Sequence, residues 1–364
     1  MRIGIFDPYL DDLGGGEKYM VSIAEYLSRS HEVDFFWEDR DDIKKISERF
    51  SLDISKINLV ENIFSPNYPF LKRLKKSLNY DAIIILSDGS LPMILSKKLF
   101  VHFQQPFPNI RPNIKTSLKK LRVNIFFCNS KFTKDFIDKE FSVNSRVIYP
   151  AIEIKAKDIK KENVILHVGR FRVKDVTTNV SGTNKAIGDY KKQGIMIKAF
   201  KEMIKNGLMN WKLILAVSVN EAEKDIFQEF KKQAMGFPIE FLVNKKNDEL
   251  WEIYSKAKIY WHASGFGEDL EKHPEFAEHF GISTVEAMGA GAVPVVINAG
   301  GQKEIVEDGE NGFLWESLEE LKEKTLKLTN NEALLLKLSK FAADSVKKFN
   351  KENFYKGIDS LISK

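Results

Sequence analysis

The run Ala82-Ile83-Ile84-Ile85-Leu86 is apolar at five successive positions, so both faces of any strand it forms must be covered. That requirement belongs to a parallel sheet with helices on each side. Similar runs recur along the chain. The first half predicts strands over Arg2–Asp7, Glu32–Trp37, Asp81–Leu86, Leu99–Phe103, Asn124–Cys128 and Arg146–Tyr149. The second half predicts them over Asn163–Val168, Lys212–Val217, Ile239–Val243, Lys258–His262 and Ala292–Ile297. Amphipathic stretches lie between them. Within Glu17–Ser28, Met20, Ile23, Ala24 and Leu27 fall at i, i+3, i+4 and i+7, one apolar stripe of a helix. Strands and helices in alternation give an α/β chain of doubly wound parallel sheets.

A single core rarely grows beyond ~250–300 residues, so 364 residues imply two domains. The pattern restarts once. Pro150–Asn163 is charged and poor in core residues, and a fresh buried strand follows it, which places the boundary there. The tail, Asn331–Lys364, reads as helices. Two such domains in tandem leave a cleft between the carboxyl ends of two sheets, where open α/β sheets bind ligands. Functional motifs belong just after strands.

Composition removes several classes. With 43% hydrophobic and 29% charged residues the chain is neither disordered nor fibrous. Its one cysteine, Cys128, excludes an intramolecular disulfide and a Cys-rich zinc module, as expected of an intracellular, cytoplasmic chain. No run approaches the ~18–20 apolar residues of a membrane span, and the N-terminus reads as a strand followed by acids rather than a signal peptide. A net charge of +5 does not imply nucleic acid. The charge is unevenly placed, however. Met1–Asn67 carries 8 Lys/Arg against 14 Asp/Glu, whereas Tyr68–Lys134 carries 13 against 2. A block so basic is either a solvated lysine face or the footprint of an anionic partner.

Four segments carry candidate chemistry. Gly14-Gly15-Gly16-Glu17 opens the first helix, where glycines allow close backbone approach and the helix start offers N–H groups to an anion. A dinucleotide fingerprint fails there, although Glu38 is well placed for its acid, because Tyr19 holds the third glycine position. His102 ends a strand, where it faces a ligand or sits in a satisfied loop. Arg170, directly after a buried strand, suits phosphate oxygens, with a second cation from Lys191 or Lys192. Between them Arg172–Tyr190 is a polar loop of unusual length, expected to act as a mobile flap. The richest segment is Glu278 to Gly291. Gly281–Thr284 start a helix with free amides for a diphosphate, and Glu278 and Glu286 flank it, each able to accept from hydroxyl groups. A metal reading of His273-Pro274-Glu275-Phe276-Ala277-Glu278-His279 is weakened by Pro274, which spoils the helix that would align the ligands.

The pair Glu278-x7-Glu286 within HFGISTVEAMGAGAVPVV, the later AGGQKEIVEDGENGFL, GGGEKYM, CNSKFTKDFI, VIYPAIEI and HVGRF with KKQGIMIKAF together resemble the retaining glycosyltransferases of family 4. EHFGI specifically resembles the α-1,2-mannosyltransferases that extend lipid-linked oligosaccharides. The resemblance implies the GT-B fold, two Rossmann-like doubly wound parallel-sheet domains facing across a cleft. It implies an acceptor domain over 1–155, a nucleotide-sugar domain over 156–345, and a C-terminal helix over 346–364 crossing back to the first. It implies a metal-independent, retaining hexosyltransferase without a cofactor, using GDP-mannose or a UDP-sugar and a glycan or lipid-linked acceptor. Arg170 and Lys191, the latter by its distance from Ala199, would neutralise the leaving diphosphate with help from the backbone of Phe280, Gly281, Ile282, Ser283 and Thr284. Glu286 would bind ribose, Glu278 and His102 the transferred sugar, and Gly15 and Gly16 would let the first domain approach the diphosphate. Lys72, Arg73, Lys75, Lys76, Lys119, Lys120 and Arg122 would then lay that domain on an anionic membrane face. A catalytically silent partner subunit and a sugar phosphorylase or epimerase are the alternatives. The sequence leaves open the base, sugar, acceptor, linkage and oligomeric state.

Overall fold

The computed structural model describes all residues except 13, 109, 111–113, 172, 175–187 and 364. The chain divides into two compact units, Met1–Ala151 with Phe349–Lys364, and Ile152–Lys348. The first break lies a few residues ahead of the expected position because Ile152 and Ile154 already pack in the second unit, where Ile154 lies against Gly289.

Unit 1 contains strands β1 (Arg2–Phe6), β2 (Glu32–Phe36), β3 (Ile57–Val60), β4 (Ala82–Leu86), β5 (Lys98–Phe103), β6 (Ile125–Cys128) and β7 (Arg146–Val147). They form one parallel sheet in the order β3-β2-β1-β4-β5-β6-β7. Its helices are α1 (Gly15–Leu27), α2 (Arg40–Phe50), α3 (Phe70–Ser77), α4 (Ile114–Lys120) and α5 (Lys131–Phe141). Every residue of β4 is buried, as its unbroken apolar run requires. β3 escapes the sequence reading because it is an edge strand of half-exposed residues with no apolar run. Helix α1 begins at Gly15, two residues before the stretch Glu17–Ser28 read from the sequence. Glu17 reaches back to accept the Gly14 N–H, which closes the helix start around the glycines.

Unit 2 contains β8 (Glu162–Arg170), β9 (Val173–Lys174), β10 (Gly188–Asp189), β11 (Lys212–Ser218), β12 (Ile239–Val243), β13 (Ala257–His262), β14 (Val293–Ile297) and β15 (Phe313–Trp315). Six of them form a parallel sheet, β12-β11-β8-β13-β14-β15. Its helices are α6 (Gln193–Lys205), α7 (Lys224–Ala234), α8 (Asn247–Lys256), α9 (Ile282–Gly289), α10 (Gln302–Ile305), α11 (Leu318–Thr329) and α12 (Glu332–Ser345). At the ends of the expected flap β9 and β10 pair antiparallel, Gly188 against Lys174 and Asp189 against Val173. Arg172 and residues 175–187 lie outside the described residues. The last helix, α13 (Lys351–Ile362), belongs to unit 1. It buries Phe354, Ile358 and Leu361 in the core that α1 and α2 cover, and Tyr355 stacks on Tyr26 at 4.0 Å.

Each sheet reverses its strand order at one point, between β1 and β4 and between β8 and β13. The carboxyl ends at such a reversal are splayed by loops that depart in opposite directions, which opens a crevice. In unit 2 the reversal lies between Arg170, the end of β8, and His262, the end of β13.

A buried polar cluster ties the other end of unit 1 together. Asp34 of β2 accepts from Arg2 Nε and Nη2 at 2.9 and 2.7 Å, from the Tyr80 hydroxyl at 2.9 Å and from Asn58 Nδ2 at 3.1 Å. Asp34→Ala removes the acceptor shared by Arg2, Asn58 and Tyr80. It is expected to destabilise unit 1 by roughly 2–4 kcal/mol, read as a lower midpoint in urea at unchanged slope. A loss below about 0.5 kcal/mol would show that the cluster is not a structural tie.

Candidate active site

The site of unit 2 is built where β8 and β13 end. Gly169 precedes Arg170, and a Cβ there would lie 3.0 Å from His167 Nε2 and 3.8 Å from Lys191 Cγ. The missing side chain thus leaves room for the His167 ring, while Lys191 Cγ lies at ordinary contact distance over the strand end. Lys192 follows with a left-handed backbone, φ 57°, and its N–H bonds the Asp189 carbonyl at 3.2 Å. This turn sends the two lysines in different directions. Lys191 Nζ reaches Glu278 at 2.8 Å, whereas Lys192 Nζ reaches Glu268 at 2.6 Å. Asp189 fastens the turn by accepting the Gly194 N–H at 2.6 Å, and burial pushes its carboxyl up to about 6. Backbone geometry therefore sends Lys191 to Glu278 and Lys192 to Glu268.

Glu278 sits in the loop before α9. Its Oε2 accepts from both Lys191 and, at 2.9 Å, His262 Nε2. Burial alone would raise this carboxyl, but Lys191 and the His262 bond outweigh it and hold it well below the usual carboxylate range. His262 is buried, which lowers its own value against the opposing pull of Glu278. A neutral imidazole donating Nε2–H satisfies both directions and leaves Nδ1 as an acceptor, and Nδ1 has no hydrogen-bond partner among the described residues. His262 was missed in the sequence because WHASGF shows only a histidine at a strand end.

The loop is held from behind. Gly301 N–H donates to the Glu278 carbonyl at 2.7 Å. A Cβ on Gly300 would lie 2.3 Å from that same oxygen, and one on Gly301 would lie 2.4 Å from Phe280 Cα. The glycines after β14 are thus a close-packing requirement of the Glu278–Phe280 loop. Gly281, at φ 120°, then turns the chain into α9. The first-turn amides, at Ile282 and Ser283, precede any intrahelical carbonyl and are the start of an anion-binding terminus. Glu286 lies one turn further on the same helix. Its Oε2 accepts from the hydroxyl of buried Tyr254 of α8 at 2.9 Å. Burial, then the charge of Glu286, keeps that phenol protonated. Tyr260 donates to Ser283 Oγ at 2.8 Å. Unit 2 thus joins Lys191, Glu278 and His262 ahead of α9, which carries Ile282–Thr284 and the Glu286–Tyr254 pair, with Arg170 at the end of β8.

His102, Gly15 and Gly16 lie in unit 1. His102 is fully buried in β5, between the rings of Tyr19 at 4.3 Å and Phe127 at 4.4 Å. Burial pushes its imidazole down to about 3, which favours the neutral ring near neutral pH. Its Nδ1–H donates to the Phe127 carbonyl at 3.1 Å, and Nε2 remains a buried acceptor without a hydrogen-bond partner among the described residues. Gly16 packs on Gln104, whose Nε2 donates to the Gly16 carbonyl at 3.0 Å. Glu38 accepts the Asn62 N–H at 3.3 Å and, with Glu61, Tyr68, Lys72 and Lys76, lines a cavity of about 410 Å³ at the carboxyl ends of β2 and β3. His273 pairs with Glu275 at 3.1 Å, both exposed, and the described residues contain no cluster of three metal-ligating side chains.

Comparison with known proteins agrees on the family. The model of the glycosyl transferases group 1 matches residues 151–345. The GDP-Man:Man(3)GlcNAc(2)-PP-Dol alpha-1,2-mannosyltransferase of Dictyostelium discoideum is 24% identical over 241 residues, 61% of this chain and 42% of that protein. Its namesake from Xenopus tropicalis is 30% identical over 197 residues, 49% of this chain and 35% of that protein. The chain therefore spans less than half the length of these curated relatives. Among solved structures, Anabaena HepE in complex with UDP superposes with a TM-score of 0.74 at 17% identity over the whole of both chains. WaaG, a glycosyltransferase involved in lipopolysaccharide biosynthesis, does so with 0.63 at 12% identity, over 100% of this chain and 99% of its own. These likenesses make the fold GT-B.

The lowered carboxyl of Glu278 has a pH consequence. Its contribution to stability is complete above the ordinary unfolded value of about 4.3 and is lost as pH falls through the lower folded value. The melting temperature of unit 2 is expected to fall on acidification below about pH 4, and Glu278→Gln to flatten that part of the slope. Parallel slopes in the two proteins would refute the ionised pair.

Proposed function

The chain belongs to the glycosyl transferases group 1 family, and on that premise we propose that it moves a hexose from a nucleotide-diphosphate sugar to an acceptor hydroxyl with retention at the anomeric carbon. The observation that carries the reading is the Glu278 carboxylate, kept ionised by Lys191 and His262 beside the amino end of α9. An ionised carboxylate is an acceptor only, suited to the hydroxyls of a sugar. Unit 2 is the donor domain of this proposal, and unit 1 the acceptor domain.

In the proposed reaction the bond from the anomeric carbon to the diphosphate breaks and its electron pair leaves with the nucleoside diphosphate. Charge grows on the phosphate oxygens. Arg170 and Lys191 offset it, and the α9 amides add fixed dipoles. Lys191 has three N–H donors and spends one on Glu278, which leaves two for the phosphate. The acceptor oxygen attacks the same face that the diphosphate leaves, and its proton passes to a donor phosphate oxygen. No side chain then has to titrate near neutral pH, in keeping with the neutral His262 and His102. His102 enters as a hydroxyl acceptor through Nε2, with Gly15 and Gly16 on the acceptor-domain side. Glu286, oriented by Tyr254, takes the ribose.

Mannose is the favoured sugar and a lipid-linked glycan the favoured acceptor. The names of the curated relatives support both, whereas UDP in HepE supports the other base. GDP, UDP, ADP and NAD at matched concentrations, without added metal, separate the readings. Binding at 100 times the Kd stabilises the native state by about 2.7 kcal/mol. A rise in Tm with GDP or UDP is expected, and GDP-mannose or the matching UDP-sugar should then support transfer that Glu278→Ala reduces about 100-fold or more. Nucleotide binding without transfer to any acceptor would favour a silent partner subunit, and turnover without an acceptor a phosphorylase or epimerase. No rise with any nucleotide would overturn the proposal.

Tyr254→Phe isolates the ribose contact. Loss of one hydrogen bond to Glu286 is expected to weaken the bound nucleotide about 3–10-fold. The 2′,3′-dideoxy nucleotide should bind wild type and variant alike. Equal losses for both ligands would place Glu286 elsewhere than at ribose.

A further inference from the structure

The Lys161 ammonium, just before β8, spends its donors on backbone carbonyls. Its Nζ donates to Ala257 at 2.7 Å and to Ala290 at 2.5 Å, and it approaches the carbonyl of Tyr254 at 3.5 Å. Tyr254 lies in the last turn of α8 and Ala257 caps that helix, whereas Ala290 caps α9. One cation therefore sits at the carboxyl ends of two helices. The last carbonyls of a helix have no intrahelical partner and form the negative end of its dipole. Two such ends brought together repel, and a positive charge between them offsets both. Burial pulls the Lys161 ammonium down to about 8, which still leaves it charged at neutral pH.

The same two helices carry the Tyr254–Glu286 pair, joined at 2.9 Å. On α8 the ammonium approaches Tyr254 itself. On α9 it holds Ala290, whose N–H donates to the Glu286 carbonyl at 3.0 Å. Lys161 is thus connected along the backbone to both members of the pair. An O–H···O bond needs its oxygens within about 3.0 Å. The phenol therefore serves Glu286 only while α8 and α9 keep their spacing.

We propose that Lys161 is a positioning residue of the site: its ammonium clamps the carboxyl ends of α8 and α9 and so keeps the Tyr254 hydroxyl on Glu286. Its effect on nucleotide binding rests on the assignment of Glu286 to ribose, whereas the clamp does not. Ser339 of α12 donates to the Gly291 carbonyl at 2.7 Å, so the end of α9 keeps an attachment when the ammonium is removed.

A double-mutant cycle of Lys161→Met with Tyr254→Phe tests it. In urea unfolding of the nucleotide-free protein the two substitutions should be non-additive, with a coupling of at least about 3-fold in the unfolding constant. Additive losses would overturn the clamp. GDP and UDP, each beside its 2′,3′-dideoxy form, give a second reading. Lys161→Met is expected to weaken the nucleotide that wild type binds about 3–10-fold, as Tyr254→Phe does, and to leave the dideoxy form unchanged. The double variant should lose no more than the larger single loss. A merely structural lysine would weaken both forms alike or neither, and either result would overturn the proposal. Wild type binding both forms alike would instead remove the ribose assignment, and the urea cycle would then decide the clamp. Lys161→Arg, which keeps the charge and the donors, should stay within about 2-fold of wild type. Lys161→Gln takes the place of Lys161→Met in the cycle if the latter does not fold.

Discussion

A carboxylate can stay ionised inside a protein only if the protein brings charge or donors to it, and unit 2 is arranged around that demand at Glu278. The partners come from two separated places in the chain. Lys191 arrives from the turn before α6, and His262 from the end of β13. Each depends on something smaller behind it. The left-handed Lys192 sets the direction of Lys191, and Gly300 and Gly301 let the Glu278 loop lie against the segment after β14. The reversal of strand order between β8 and β13 makes the meeting possible, because it opens the sheet edge between them.

The same physics gives the two carboxylates of the site different surroundings. Glu278 is balanced by a cation and a neutral imidazole, whereas Glu286 is held by a single phenol. One is fastened on two sides at the strand ends, and the other rides on a helix whose neighbour, α8, fixes its rotamer. Both are acceptors. The histidine beside Glu278, His262, is favoured in its neutral form by burial. The protein contributes position and fixed charge.

Unit 1 shows the opposite use of polar groups. Asp34 gathers donors from three elements and closes the amino-terminal part of the sheet. Arg73, Lys120 and Arg122 spend their donors on backbone carbonyls. A cation within the basic segment can thus serve as a structural anchor, and its hydrogen-bond partners tell which do.

Much of the architecture was legible in the amino-acid order, because parallel strands buried on both faces leave unbroken apolar runs and helices leave a 3.6-residue stripe. Ala82–Leu86 and the Met20-to-Leu27 stripe show it directly. Edge strands such as Ile57–Val60 escaped, since half-exposed residues carry no such run. Arg170, Glu278 and Glu286 were visible by their places after strands and around a helix start. His262 and Tyr254 were not, because their roles exist only once β13 lies beside β8 and α8 beside α9. Residue order also could not show that Lys191 and Lys192 reach different carboxylates, nor that His102 is sealed between two rings, nor that three basic residues serve as anchors. Those outcomes rest on backbone direction and burial, which arise from contacts between residues far apart in the chain.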